Sequence, residues 1–218
     1  MFDIDFNKYR IVDLSYEVVP GASQERPFEI ERSYLRDDTY KHEVRTHSHV
    51  GTHVEFPAHF FEGGKGGTDF LLIAFMGRAI LLDVEDAEAN REIGPEYLEQ
   101  AIGDLIREGD IVICRNLDRA SKEKGDRDAL PRLTPGAARW LAEHKIKLLG
   151  IDNYFRLSKD VPSGRELHEI LMGQDINIIE WLDNLEALQR REFFFMALPY
   201  KVRVMDSSWA RAIAIEEI

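Results

Sequence analysis

The sequence has only one cysteine, Cys114, so an internal disulfide is excluded. No apolar run approaches the roughly 20 residues of a transmembrane helix. The first residues, MFDIDFNKYRIVDLS, lack the basic stretch and apolar run of a secretory signal. Positive charge is also scarce, because 28 Lys and Arg face 40 Asp and Glu, giving a formal net charge of −12. We therefore predict a cytoplasmic protein without a nucleic-acid or membrane partner.

Length and hydrophobic content indicate one domain that spans residues 1–218. The hydrophobic fraction of 44% is enough for a sizeable core. Short runs rich in Ile, Val and Phe predict strands at 10–14, 40–49, 78–84, 110–116, 147–152, 176–180, 192–198 and 209–215. The strands are interleaved with helix signals, which indicates an α/β or mixed α+β domain.

Three helix starts are predicted from local signals. Pro95 and the pair Thr134-Pro135 have the pattern of a first helical turn. Ser163 has capping-box spacing to the glutamate three residues later, and Gly173 is a natural stop for that helix. The highly charged segment 119–132 is predicted to be an exposed loop.

Histidine is concentrated in one segment, because five of the seven histidines lie between positions 42 and 59. Histidine is the commonest metal ligand and the usual proton shuttle near neutral pH. If the segment is an extended strand, its odd positions share one face and its even positions are mostly apolar. The odd positions include His47, His49, His53, Glu55 and His59. This pattern predicts a metal-binding strand that becomes irregular near Pro57.

A divalent ion also needs ligands from outside this segment. His168 lies on the predicted helix that starts near Ser163, and Glu180 ends an apolar strand. Taken alone, each has the pattern of an ordinary surface or cap residue. Together with the first cluster, they are the best candidates for distant ligands.

The central motif resembles the cyclase-like family of metal-dependent hydrolases, which includes kynurenine formamidase and isatin hydrolase. The family signature is His-x-Gly-Thr-His-x-Asp-x-Pro-x-His. This chain has His49, Gly51, Thr52, His53, Glu55, Pro57 and His59 at those positions. A second match is the Gly-Ile-Asp strand end at 150–152, followed by His168 and Glu180, which are twelve residues apart. The one departure in the signature is Glu55, where the family has Asp.

The resemblance implies a role for each matching residue. Metal ligands are implied at His49, His53, Glu55, His168 and Glu180. The implied cofactor is Zn²⁺ or Mn²⁺, with one or two ions per chain, and Glu55 would take the position of a bridging carboxylate. His59 is the implied catalytic acid/base.

The resemblance also implies a fold, an activity and an assembly. The fold is a mixed β-sheet curled into a barrel-like core with flanking helices, of the swivelling β/β/α type. The activity is hydrolysis of an amide, formamide, cyclic amide or lactone bond of a small molecule by metal-activated water. The assembly is a homo-oligomer, either a dimer or a tetramer.

Two other functions stay open at the level of sequence. His53, Glu55 and His168 also fit the 2-His-1-carboxylate triad of non-haem Fe(II) oxygenases, which predicts an all-β jelly roll. Alternatively, Glu55 could mark a family member that binds a ligand or a metal without turnover.

Overall fold

The computed structural model describes residues 5–218, apart from the side chain of Phe6. Over this range the strands are β1 (Tyr9–Asp13), β2 (Phe28–Tyr34), β3 (Tyr40–Thr46), β4 (His53–Glu55), β5 (Met76–Val84), β6 (Glu92–Ile93), β7 (Ile111–Asn116), β8 (Arg132–Leu133), β9 (Leu148–Asp152), β10 (Asn177–Leu182), β11 (Glu192–Pro199) and β12 (Ser207–Glu217). The α-helices are α1 (Pro95–Ile102), α2 (Arg119–Glu123), α3 (Pro135–Glu143) and α4 (Val161–Met172).

The main sheet has eight strands in the order β1-β12-β11-β5-β7-β9-β10-β4. The long strand β12 also pairs with β4, which closes the sheet into a barrel and leaves β1 outside the ring. Strands β5, β7, β9 and β10 are parallel, and the remaining pairings of the sheet are antiparallel. The prediction of a mixed, barrel-like sheet with flanking helices is therefore confirmed.

Alternate residues of the parallel strands enter two separate cores. On β5, Ile80 and Leu82 pack with the apolar faces of the helices, in a cluster that includes Leu141 and Leu167. The intervening Leu81 points into the barrel interior with residues such as Phe195. Because the side-chain period of a strand is two, these strands are buried on both faces, as parallel strands usually are.

The helix starts follow local capping chemistry. Thr134 Oγ1 accepts a hydrogen bond of 3.2 Å from the backbone N–H of Ala137, as expected for the N-cap of α3. The prediction for α4 was wrong by three residues. Asp160 is the N-cap, and Ser163 is the third helical residue that completes the capping box. Helix α4 ends before Gly173, whose φ of −64° is right-handed.

Two further elements differ from the sequence prediction. The segment 119–132 is not simply a loop, because Asp118 caps helix α2 by accepting N–H groups of its first turn. Strand β3 ends at Thr46 instead of continuing to His49. It pairs with β2, for which the sequence had shown no signal, in a two-stranded ribbon separate from the main sheet.

No helix in the range 5–218 is long and apolar enough to cross a membrane.

Candidate metal centre

The histidine segment is a turn, a short strand and a 3₁₀ turn rather than one continuous strand. Residues 48–52 turn, β4 covers His53–Glu55, and a 3₁₀ turn covers Pro57–His59. Gly51 has a φ of +65°, and a Cβ there would lie 2.4 Å from Cγ2 of Val18. Glycine is therefore required here for two reasons: the turn is left-handed, and any Cβ would collide with Val18. The predicted alternation holds in β4 and at the residue after it, where Val54 and Phe56 both enter the barrel core.

Strand β4 lies between β10 and β12, and this position brings distant residues together. His53 is the register partner of Glu180 on β10 and of Trp209 on β12. Nε2 of His53 lies 3.9 Å from Oε2 of Glu180. The antiparallel pairing thus places a carboxylate against the imidazole, although 127 residues separate them in sequence (180 minus 53). Glu180 does not end its strand as predicted, because β10 continues to Leu182.

The Glu55 carboxylate is at the centre of the cluster. Its Oε1 lies 2.8 Å from Nδ1 of His49 and 3.4 Å from Nε2 of His53. Its Oε2 lies 3.3 Å from Nε2 of His168, which is carried by α4. One carboxylate therefore contacts imidazoles from the turn, the strand and the distant helix.

The backbone orients two of these imidazoles. Nδ1 of His53 lies 2.8 Å from the Gly51 carbonyl oxygen, and Nδ1 of His168 lies 2.7 Å from the Gly164 carbonyl oxygen. A carbonyl oxygen can only accept, so each Nδ1–H donates and the Nε2 atom of each ring faces the cluster. Backbone partners of this kind orient metal-ligating histidines. Phe60 also stacks on His168, with ring centroids 4.6 Å apart.

The donor set suits a divalent cation. Two groups in the described part of the chain offer ligand atoms that all lie within 4.8 Å of one another: His49, Glu55 and His59, and His53, Glu55 and Glu180. His53 is fully buried, and its Nε2 and Oε2 of Glu55 have no hydrogen-bond partner among the described residues. Buried polar atoms without a partner are costly, and metal coordination by imidazole and carboxylate would satisfy both.

The carboxylates and imidazoles change one another's pKa values. Burial lowers the pKa of His49, but hydrogen bonds to Glu55 and Asp206 outweigh that effect and raise it to about 9. Burial raises the pKa of Glu55, yet its close contacts with the imidazoles of His168, His49 and His53 hold it well below its ordinary value. Burial and the nearby charge of Glu55 raise the pKa of Glu180. The cluster therefore favours the ionised form of Glu55 and disfavours the ionised form of Glu180.

The structure adds Asp206, which the sequence analysis missed. Its Oδ2 lies 2.8 Å from Nε2 of His49 and 3.1 Å from Nδ1 of His59, and its Oδ1 accepts from Ser48 Oγ at 3.1 Å. Hydrogen bonds from His49 and His59 lower the pKa of Asp206 against the opposing effect of burial. A lone Asp in a loop before β12 has no motif around it, so only the barrel closure shows that it belongs to the cluster.

A cavity of about 450 Å³ opens beside the cluster. His168 and Glu180 line it on one side, and Trp181, Tyr154 and Arg26 are among its other walls. A volume of this size matches small-molecule sites, which typically have about 300–1,000 Å³. The cluster can therefore act on a ligand bound in this cavity.

Known proteins are similar to this chain in sequence, and solved structures are similar to it in fold. Kynurenine formamidase from Erythrobacter litoralis (strain HTCC2594) is 26% identical over 217 residues, which cover 95% of this chain and 94% of that protein. Kynurenine formamidase from Bacillus mycoides (strain KBAB4) is 29% identical over 167 residues, or 76% and 75% of the two chains. The structure of isatin hydrolase A from Labrenzia aggregata bound to benzyl benzoate superposes with a TM-score of 0.77 at 24% identity, covering 97% and 95%.

A family model described as "Putative cyclase" matches residues 12–155, a range that contains the histidine segment and most of the parallel strands. The match covers about two thirds of the chain, since 144 of its 218 residues fall in that range (155 − 12 + 1). The chain therefore belongs to the cyclase family, the cyclase-like metal-dependent hydrolases that its central histidine motif resembles.

Proposed function

We propose that the protein is a metal-dependent hydrolase of the arylformamidase type, which cleaves an amide, formamide, cyclic amide or lactone bond of a small molecule. The single observation that carries this proposal is the Glu55 carboxylate, which three imidazoles from separate elements surround beside a ligand-sized cavity. The kynurenine formamidases that match most of the chain support the choice of a carbon–nitrogen bond outside peptides.

Five residues would hold the metal: His49, His53, Glu55, His168 and Glu180. We propose Zn²⁺ or Mn²⁺ as the ion, with one or two ions per chain, because both metals accept imidazole and carboxylate ligands. When bound, such a cation supplies an acidic water and polarises the carbonyl oxygen of the substrate. The extra methylene of Glu55 extends this carboxylate to the imidazole of α4, where Oε2 lies 3.3 Å from His168.

His59 is the proposed acid/base that protonates the leaving group. Its ring centroid lies 4.5 Å from that of His49, next to the proposed ligands, and about a third of its side chain is exposed (31%). Nδ1 contacts Asp206, so the opposite nitrogen, Nε2, is available to exchange a proton with the substrate. Asp206 would orient this ring by accepting its Nδ1–H, so the neutral ring presents the lone pair of Nε2, where it can take up a proton and then pass it to the leaving group.

The oxygenase alternative predicts an all-β jelly roll. The structure instead has helices against a closed mixed sheet, and the chain belongs to a hydrolase family. We therefore do not propose an oxygenase. The other alternative, a family member that binds a ligand or a metal without turnover, is tested by measuring hydrolysis.

The test is hydrolysis by protein loaded with Zn²⁺ or with Mn²⁺, measured on a panel of aryl formamides, cyclic amides and lactones. We expect turnover of at least one class, and a loss of turnover in His59→Ala with the metal content unchanged. If every compound survives the loaded protein, the chain is a binding member of the family and the proposal is wrong.

Three further properties of the chain are proposals of the same kind. We propose a single domain over 1–218, a cytoplasmic location and a homo-oligomer, either a dimer or a tetramer.

The β2–β3 ribbon supports self-association, because it exposes large apolar side chains such as Tyr34 (62%) and Val44 (51%) away from both cores. Sedimentation of the wild type and of Val44→Lys tests whether the ribbon forms the contact.

A further inference from the structure

Thr52 lies in the histidine segment directly before His53, and its hydroxyl bonds to the backbone of two distant segments. The residue is buried, with 5% of its surface exposed. Its Oγ1 accepts the backbone N–H of Tyr16 at 2.8 Å and donates to the backbone carbonyl oxygen of Trp181 at 2.6 Å. A hydroxyl has a single O–H to donate, so the donor of Thr52 is committed to Trp181.

The Trp181 carbonyl belongs to an irregular step of β10. Ile179 pairs with Gly150 of β9 and Leu182 pairs with Asp152, so β10 has one residue more than β9 over this stretch. Trp181 itself has a φ of +60°. This left-handed conformation is costly for a residue with a bulky side chain. The extra residue therefore forms a strained β-bulge, a feature that redirects side chains and is frequent beside active sites.

The bulge determines which side chains of β10 face the cavity. Ile179 and Leu182 both pack in the barrel interior. In a regular strand, Trp181 rather than Leu182 would share the face of Ile179. Because of the extra residue, Glu180 and Trp181 are consecutive in sequence and both line the cavity beside the metal centre. The proposed ligand Glu180 thus lies immediately before the strained residue.

The Thr52 hydroxyl connects this bulge to the histidine segment. His53 and Glu180 are the last register pair of β4 with β10, and Thr52 and Trp181 are the next residues along the two chains. The side-chain hydrogen bond extends the contact between the two segments by one residue beyond that pair. The N–H of Tyr16 orients the hydroxyl from the other side. A strained conformation persists only where surrounding contacts hold it, and this hydrogen bond is such a contact.

We infer that Thr52 is a positioning residue for Glu180. Its hydroxyl holds the left-handed residue that follows Glu180, and this contact keeps the carboxylate within 4.8 Å of the ligand atoms of His53 and Glu55. The inference rests on the proposed function, in which Glu180 is a metal ligand. Without the hydroxyl, β10 can relax at Trp181, and an unchanged Glu180 then contributes less to metal binding.

The test is the affinity of the full-length protein for Zn²⁺, measured by competition with a chromophoric chelator. Thr52→Val keeps the branched shape without the hydroxyl, and Thr52→Ala is a smaller variant that also lacks it. We expect both to weaken Zn²⁺ binding by about 10- to 100-fold, the loss typical of outer-shell partners of metal sites. Thr52→Ser keeps the hydroxyl and should recover most of the affinity. A Thr52→Ser protein that binds Zn²⁺ as weakly as Thr52→Val would overturn the inference.

Thr134→Val is the matched control. Oγ1 of Thr134 makes the same two kinds of contact, since it accepts the N–H of Ala137 and donates to the Ile93 carbonyl oxygen, both at 3.2 Å. Its place is the N-cap of α3. This variant should unfold more easily but bind Zn²⁺ as the wild type does. An equal loss of Zn²⁺ affinity in both valine variants would mean that general loosening is the cause, and the inference would be wrong.

A double-mutant cycle shows whether Thr52 acts through Glu180. In a Glu180→Gln background the ligand is already impaired, so Thr52→Val should weaken Zn²⁺ binding by a clearly smaller factor than in the wild type. The same factor in both backgrounds would show that Thr52 acts by another route, which contradicts the positioning role.

Zn²⁺ affinity is measured without a substrate, so the two proposals can fail separately. If the wild type cleaves none of the amides and lactones but Thr52→Val still weakens Zn²⁺ binding, the proposed function fails and the positioning role stands. If the wild type cleaves one of them and Thr52→Val binds Zn²⁺ as tightly as the wild type, the function stands and the positioning role fails.

Discussion

Oδ2 of Asp206 lies 3.1 Å from Nδ1 of His59. The same oxygen lies 2.8 Å from Nε2 of His49, so one carboxylate connects a proposed ligand with the proposed acid/base. Because a carboxylate accepts, both imidazoles direct an N–H toward it. The arrangement fixes the tautomer of His59 and the orientation of His49 through a single residue that precedes β12.

Replacing Asp206 with Asn should lower kcat by about tenfold to 100-fold, in the range typical of lost outer-shell partners. The amide keeps the size of the side chain but can also donate, so it no longer selects one tautomer of His59. We expect the rescue variant Asp206→Glu to recover part of kcat, with KM nearly constant in both. Steady-state kinetics should be compared with Asp175→Asn, which changes an exposed carboxyl group that pairs with Lys65. A similar loss in Asp175→Asn would contradict the positioning role.

His59→Ala should lower kcat by roughly 100- to 10,000-fold, the usual contribution of a positioned acid/base. The metal content should not change if His59 is not a ligand. His59 nevertheless offers a nitrogen within 4.8 Å of donor atoms of His49 and Glu55, so metal analysis must accompany the kinetics. Loss of metal in His59→Ala would make His59 a ligand and would remove its proposed role as proton carrier.

Glu55→Gln should weaken metal binding by more than the roughly 10–100-fold that loss of an outer-shell partner costs. The substitution removes the charge that three imidazoles surround, while the size of the side chain is kept. Elemental analysis after dialysis against a chelator measures the effect, with Glu62→Gln as an exposed control. The wild-type stoichiometry also tells whether Glu55 serves one ion or bridges two. Retention of full metal content in Glu55→Gln would exclude it from the ligand set.

Asp152 should make stability depend on pH between about pH 4 and 6. Burial raises its pKa to about 6 against the opposing hydrogen bonds from the backbone of Asn116 and Tyr154. The folded state therefore binds this proton more tightly than the unfolded state, whose pKa is near 3.8. The free energy of unfolding consequently falls as pH rises through this range, and the loss is complete above pH 6.

Relative to Asp152→Asn, which does not titrate, the wild type should gain about 1 kcal/mol between pH 7 and pH 5. Urea unfolding of both proteins at several pH values measures the difference. A parallel pH dependence of the two proteins would show that Asp152 is not the responsible group.

Much of the fold could be predicted from local patterns. The runs that became β5, β7, β9 and β11 are apolar along most of their length, and buried strands of that kind are recognisable without knowledge of their partners. The start of α3 at Pro135 could also be predicted, because its N-cap, Thr134, is the preceding residue and its signal is local. Ribbon strand β2 was missed because most of its residues are exposed and carry no core pattern.

Residue type and spacing predicted a metal site in the histidine segment, because imidazoles and a carboxylate are rarely crowded together, and the family resemblance implied which of its residues are ligands. Their arrangement was decided by tertiary structure. The turn at Gly51 and the insertion of β4 between β10 and β12 bring His53 next to Glu180. The closure of the barrel brings Asp206 to His59, and a contact of this kind leaves no local signal. Composition and short-range pattern can indicate which chemical groups are available, but long-range strand pairing determines which of them meet.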